Sequence, residues 1–168
     1  MRHSIQIQSV IYHNDKKSLF KAIDSIANAL RVNKRTTKEV GDVVLAYGDA
    51  SKEPVLSDDE VKEITEKYIN DFEFKYVFFN ENTGSAKGHN KLGAFCESEF
   101  MQIMNPDVIL CPRFFTMILE PFMDKELNAG MTEARQTPIE HPKEYDRKTL
   151  ETDWATTACA VFKTEDFR

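Results

Sequence analysis

The spacing of apolar and polar residues changes period repeatedly along this chain. Ser4 to Tyr12, SIQIQSVIY, alternates and then turns into an apolar run, predicting a strand closed by the turn and cap chemistry of His13-Asn14-Asp15. Asp15 can cap the next segment, where Leu19, Phe20, Ile23, Ile26, Ala27 and Leu30 recur at the three- and four-residue spacing of an amphipathic helix. Val43 to Tyr47, VVLAY, is short and apolar and opens on two β-branched valines, a buried strand running into Gly48-Asp49-Ala50-Ser51. Ser57 followed by Asp58, Asp59 and Glu60 sets a cap and negative charge where a helix N-terminus favours them, ahead of Val61, Ile64, Tyr68 and Ile69.

Glu73 to Phe79, EFKYVFF, reads as a third strand ending at Asn80. A loop with Gly84 and Gly88 follows, then a helix expected from about Gly88 to Glu97, then a short strand over Phe100 to Met104 that runs into Asn105-Pro106-Asp107. Pro112 to Phe122 predicts a helix with a first-turn proline, Ala129 to Arg135 a strand, Thr137 to Lys148 a proline-bearing loop, and Ala155 to Lys163 a last strand. Strands alternating with helices predict a layered α/β fold with a mostly parallel sheet and helices on both faces. No repeat or linker interrupts it, so residues 1–168 are expected to form a single domain.

Composition narrows the function classes. Apolar residues are 41% and charged residues 30% of the 168, which fits a folded protein with a sizeable core. A formal net charge of −6 argues against binding nucleic acid, because that affinity rests on clustered Lys and Arg. No apolar run reaches the ~20 residues of a transmembrane helix and no signal pattern opens the chain, so the expected address is cytoplasmic. Cys96, Cys111 and Cys159 are far apart and lack a C-x-x-C pairing, so all three are expected as buried free thiols. The four histidines show no metal-ligand spacing.

In open α/β sheets ligands bind outside the carboxyl ends of the strands, and the polar oddities of this sequence fall there. His13 and Asn14 follow the first strand, Asp49 the second, Asn80 and Asn82 the third, and Asp107 the fourth. Each has an ordinary reading as turn or cap chemistry; together they suggest a binding cleft. Asp107 either caps a turn after Pro106 or binds Mg²⁺ or Mn²⁺, hard cations that take one or two carboxylates plus ligand phosphates. Asp49 is placed to accept hydrogen bonds from a base or ribose. Gly84 and Gly88 would let backbone approach a ligand, but their spacing is neither G-x-G-x-x-G nor a P-loop. His89 is expected to bond a phosphate or sugar or to pack at a helix start; His141 is read as structural or superficial. Arg135 is expected to meet a diphosphate or to pair with Glu133 or Glu140.

Five motifs in order carry a family resemblance: Tyr12-His13-Asn14, Gly48-Asp49-Ala50-Ser51, Asn82-Thr83-Gly84, Gly88-His89-Asn90 and Asn105-Pro106-Asp107. They resemble the donor-binding part of family 2 glycosyltransferases of the GT-A fold, especially the rhamnosyltransferase-like branch. The resemblance implies a nucleoside diphosphate sugar donor, a glycan or lipid-linked acceptor, inverting transfer to an acceptor hydroxyl in polysaccharide biosynthesis, and work at the inner face of a membrane. It implies nucleotide-sugar contacts from Tyr12, Asn14, Asp49, Asn82, Gly84, Asn90 and Asn105, and a metal on Asp107. Asn105 stands where the first acid of the metal-binding D-x-D motif usually falls. Trp154 to Phe167 resembles the family's W-x-x-G-A segment, with Thr157-Ala158 in place of Gly-Ala, and the family's Glu-Asp catalytic motif lies beyond that segment. The resemblance therefore implies a chain truncated before its acceptor part. Glu165-Asp166 falls too early for the catalytic role, which leaves Glu151 and Asp153 as candidates. The alternative is a catalytically silent nucleotide-sugar-binding module. A nucleotidyltransferase would carry a Gly- and Arg-rich loop after the first strand, where this chain has His13-Asn14-Asp15-Lys16-Lys17.

Overall fold

The computed structural model describes residues 2–139 and 142–167, so Glu140 and His141 lie outside the described residues. β1 (His3–Ile11) is followed by α1 (Lys16–Arg35), β2 (Val40–Asp49), α2 (Asp58–Lys67), β3 (Glu73–Phe78), α3 (Gly84–Gly93), β4 (Phe100–Met104) and α4 (Phe114–Met123). The chain closes with β5 (Met131–Glu133), β6 (Cys159–Lys163) and the short α5 (Thr164–Phe167). One six-stranded sheet has the order β3-β2-β1-β4-β6-β5. β3, β2, β1 and β4 run parallel, while β6 pairs antiparallel with both β4 and β5. The carboxyl ends of the four parallel strands therefore open onto one edge.

Local chemistry sets the helix starts. The Asp15 carboxylate accepts the Ser18 amide at 2.9 Å at the head of α1, whose stripe from Leu19 to Leu30 is buried against Ile5, Ile7 and Ile11 of β1. Ser57 and Glu60 form the reciprocal capping box of α2, with Ser57 Oγ accepting from Glu60 and Glu60 Oε2 from the Ser57 amide at 2.8 Å. α2 ends at Lys67, so Ile69 lies past the helix and is exposed rather than buried.

The opposite face of β1 differs from its pattern. Alternation ordinarily marks a strand with one wet face. Here Gln6 and Gln8 are buried beneath α3: Gln6 Nε2 donates to Gln8 Oε1 at 3.0 Å and to the Leu92 carbonyl at 3.1 Å. Helices thus cover both faces of the sheet.

α3 itself starts four residues before the expected position. Asn82 Oδ1 accepts the Gly84 amide at 3.0 Å, and Gly84 enters at a φ of 64° that glycine tolerates, so the turn begins there. Gly88 is consequently a packing glycine rather than a ligand-side one, since a Cβ on it would lie 2.6 Å from Val10 Cγ2. Cys96 and Cys159 are buried as expected; Cys111 is exposed, because it falls in the turn before α4. β5 is shorter than predicted, and residues 155–158, expected in the last strand, lie outside β6.

Candidate functional site

At the end of β1 the chain makes a compact turn. Asn14 Oδ1 accepts the Tyr12 amide at 2.8 Å, and His13 sits at a φ of 53°, the left-handed region. The His13 amide donates to Ser51 Oγ at 2.8 Å, joining this turn to the one after β2. The Tyr12 ring is half exposed and meets the His13 ring edge to face, 4.4 Å between centroids.

Asp49 is the last residue of β2 and is completely buried. Its Oδ1 accepts the Ser51 amide at 2.9 Å; its Oδ2 accepts the Val55 amide at 2.7 Å and the Tyr76 hydroxyl of β3. Burial, and then the neighbouring Asp49, push the Tyr76 hydroxyl well above its usual range. A carboxylate expected to face a ligand is thus turned inward, because the segment 51–55 folds over it.

The end of β3 brings Asn80, at a φ of 54°, and Asn82 to the same edge. Asn82 and Gly84 form the exposed first turn of α3, braced by Glu81 with Lys87 at 3.0 Å and with Lys91. These ion pairs, Lys91 first, hold the Glu81 carboxyl below its usual range. His89 faces the sheet rather than a ligand: Gln8 Nε2 donates to its carbonyl at 3.2 Å and lies 3.3 Å from its Nδ1. Burial lowers its pKa to about 4. Asn90 is not brought to the edge with the others. It lies on the exposed side of α3 six residues after Gly84, about 9 Å along the axis, because the helix begins early.

Asn105 and Asp107 are exposed in the turn that follows β4. The Asn105 amide donates to the Ala158 carbonyl at 2.8 Å, and the Val108 amide to the Asn105 carbonyl at 3.2 Å. This turn is tied to the segment entering β6 and presents two oxygen-bearing side chains. Among the described residues no group of three His, Cys, Asp or Glu could hold a metal. The donor set fits a hard divalent cation that arrives with ligand phosphates and does not fit a closed protein cage.

Across β6, Glu133 at the end of β5 accepts the Thr156 amide and pairs with the largely buried Lys143, whose ammonium lies 5.0 Å from the centre of the Trp154 ring. Arg135 lies over the Tyr145 ring at 5.7 Å, and its other expected partner, Glu140, lies outside the described residues. Sequence reading passed over Lys143, since nothing local marks a lysine whose carboxylate partner lies on an earlier strand. Glu151 and Asp153 are exposed; Glu151 Oε2 accepts from Thr149 Oγ1 at 3.0 Å within its own loop. Glu165 and Asp166 are exposed in α5. A depression of about 820 Å³, lined by Arg2, Lys34, Lys38, Asp42 and Ile69, lies at the opposite edge, where the parallel strands begin.

The sequence matches no family model, and no curated protein matches it. The fold does have solved counterparts. A mannosyltransferase from Pyrobaculum calidifontis, in complex with GDP-Man and Mn²⁺, superposes with a TM-score of 0.66 at 15% identity, covering 98% of this chain and 46% of that one. TarS 1-349 of S. aureus, in complex with UDP, gives 0.65 at 16% identity, covering 98% and 47%. A 4-diphosphocytidyl-2C-methyl-D-erythritol synthase from Anaerococcus prevotii gives 0.53 at 15% identity, covering 98% and 72%. This chain thus spans about half the length of the first two. The six-stranded α/β sheet shares its GT-A fold with the mannosyltransferase and TarS structures.

Proposed function

We propose that the chain is a glycosyltransferase-like domain that binds a nucleoside diphosphate sugar at the carboxyl edge of its parallel strands. The observation that carries this reading is the gathering of the Tyr12 to Asn14 turn, Asn82 with Gly84, and Asn105 with Asp107 at one edge of a sheet whose solved counterparts include complexes with GDP-Man and with UDP. In this reading Tyr12 and Asn14 meet the nucleoside, Asn82 and the first turn of α3 lie beside the diphosphate, and Asp49 supports them from beneath. Asp107 and Asn105 hold Mg²⁺ or Mn²⁺, which when bound neutralises charge on the departing diphosphate. The finer assignment, to the rhamnosyltransferase-like branch with inverting transfer to a glycan or lipid-linked hydroxyl, rests on the five sequence motifs. Asp153, with Glu151 second, is assigned the acceptor's proton.

Calorimetric titration with UDP, dTDP and GDP sugars, with and without Mn²⁺ and paired with donor hydrolysis, tests the reading. Metal-dependent binding that Asp107→Ala removes is the expected result. Binding with neither hydrolysis nor transfer assigns the chain instead to a silent nucleotide-sugar-binding module. If no nucleoside diphosphate binds at all, the donor site is refuted.

A further inference from the structure

Three strand ends are joined by one continuous set of hydrogen bonds. The Tyr76 hydroxyl on β3 donates to Asp49 Oδ2 on β2, Asp49 Oδ1 accepts the Ser51 amide, and Ser51 Oγ accepts the amide of His13 after β1. Asp49 and Ser51 are wholly inaccessible to solvent, and the side chain of Asp49 points into this network. A carboxylate has about four lone-pair sites, and three are taken here. His13, at the far end, holds a left-handed φ of 53°, a conformation that a non-glycine residue keeps only where its surroundings hold it.

We propose that Tyr76, Asp49 and Ser51 act as a positioning relay that sets the Tyr12-His13 turn for the nucleoside part of a nucleoside diphosphate, with Asp49 acting through the turn and not by direct contact. The proposal rests on the nucleotide-sugar reading. Its logic is geometric: the exposed groups able to touch a base belong to Tyr12 and His13, while the groups fixing them are Asp49 and Ser51, buried at the end of β2, and the partly buried Tyr76 of β3 beyond it. Tyr76 contributes no surface to the ligand in this scheme. It anchors the carboxylate that anchors the turn.

Amide hydrogen exchange tests the relay without ligand. In Tyr76→Phe the His13 and Val55 amides are expected to exchange about tenfold faster, with Leu45 in the centre of β2 unchanged; unaltered His13 protection overturns the relay. Calorimetry then compares UDP, GDP and inorganic pyrophosphate on wild type, Tyr76→Phe, Ser51→Ala and the double variant. Each single change is expected to weaken the nucleoside diphosphates about tenfold and leave pyrophosphate unaffected, and the double variant is expected to bind no worse than the weaker single one. Equal losses for pyrophosphate, or additive losses in the double variant, overturn the proposal. Ser51→Ala removes a single oxygen, so it keeps the test decisive should Tyr76→Phe fold poorly. A wild-type chain that binds no nucleoside diphosphate refutes the donor site itself, whereas wild-type binding with indifferent variants refutes only the relay.

Discussion

Gln8 of β1 reaches across the sheet face to His89 of α3, donating to its carbonyl at 3.2 Å and lying 3.3 Å from its ring Nδ1. The contact fastens to the sheet the helix whose first turn, at Asn82 and Gly84, faces the candidate donor site. It is built from a glutamine and a histidine with almost no access to water.

This pair makes stability depend on mild acid. Burial lowers the His89 pKa from 6.5 to about 4, so between those values the unfolded chain binds more protons than the folded one. Stability is fully present above pH 6.5 and falls as pH drops toward about 4, by up to about 3 kcal/mol. Urea denaturation from pH 7.5 to 4.5 on wild type and His89→Gln would show it. The variant is expected to lose much of that slope, and an unchanged slope would place the pH dependence elsewhere.

Gly88 tests how closely α3 approaches β1. Glycine to alanine inside a helix ordinarily stabilises by about 1 kcal/mol. Here the new Cβ would stand 2.6 Å from Val10 Cγ2 and 2.9 Å from Thr83 Oγ1, so Gly88→Ala is expected to destabilise by about 1–3 kcal/mol. Adding Val10→Ala should recover part of the loss in a double-mutant cycle followed by chemical denaturation. Independent, additive effects would mean that the two sites do not touch.

The capping box of α2 predicts a smaller and separable effect. Ser57→Ala removes the acceptor for the Glu60 amide and is expected to cost about 1 kcal/mol. Thermal unfolding measures it. Because Glu60 also pairs with Lys16 at 2.7 Å, Glu60→Gln should lower stability further only at low salt.

Thiol labelling separates the three cysteines. Cys111 is exposed while Cys96 and Cys159 are buried, and burial pushes the Cys159 thiol up to about 12. Brief iodoacetamide treatment of the native chain should therefore modify Cys111 alone, with all three reacting in guanidinium. Mass spectrometry of the peptides gives the answer, and native labelling of Cys159 would contradict the packing around Gln102 and Met104.

Much of the architecture was legible in the chain because its determinants are local. Asp15 and the Ser57-Glu60 box start their helices within a few residues of themselves, and the apolar run over Phe100 to Met104 is the strand it predicts. The edge-directed polar residues were legible for the same reason, each standing where a strand ends. What those side chains do there was decided by tertiary contacts. Asp49 was read as facing a ligand, but Tyr76, 27 residues away, and the fold-over of residues 51–55 close around it. His89 and Gln8, 81 residues apart, exclude water from each other only once α3 lies on β1. Cys111 is exposed because α4 begins after it and the apolar face of that helix turns inward without it. Period and capping chemistry depend on neighbours in sequence and survive translation into structure. Burial of a carboxylate or an imidazole depends on which distant donor arrives beside it, and no single segment encodes that arrival.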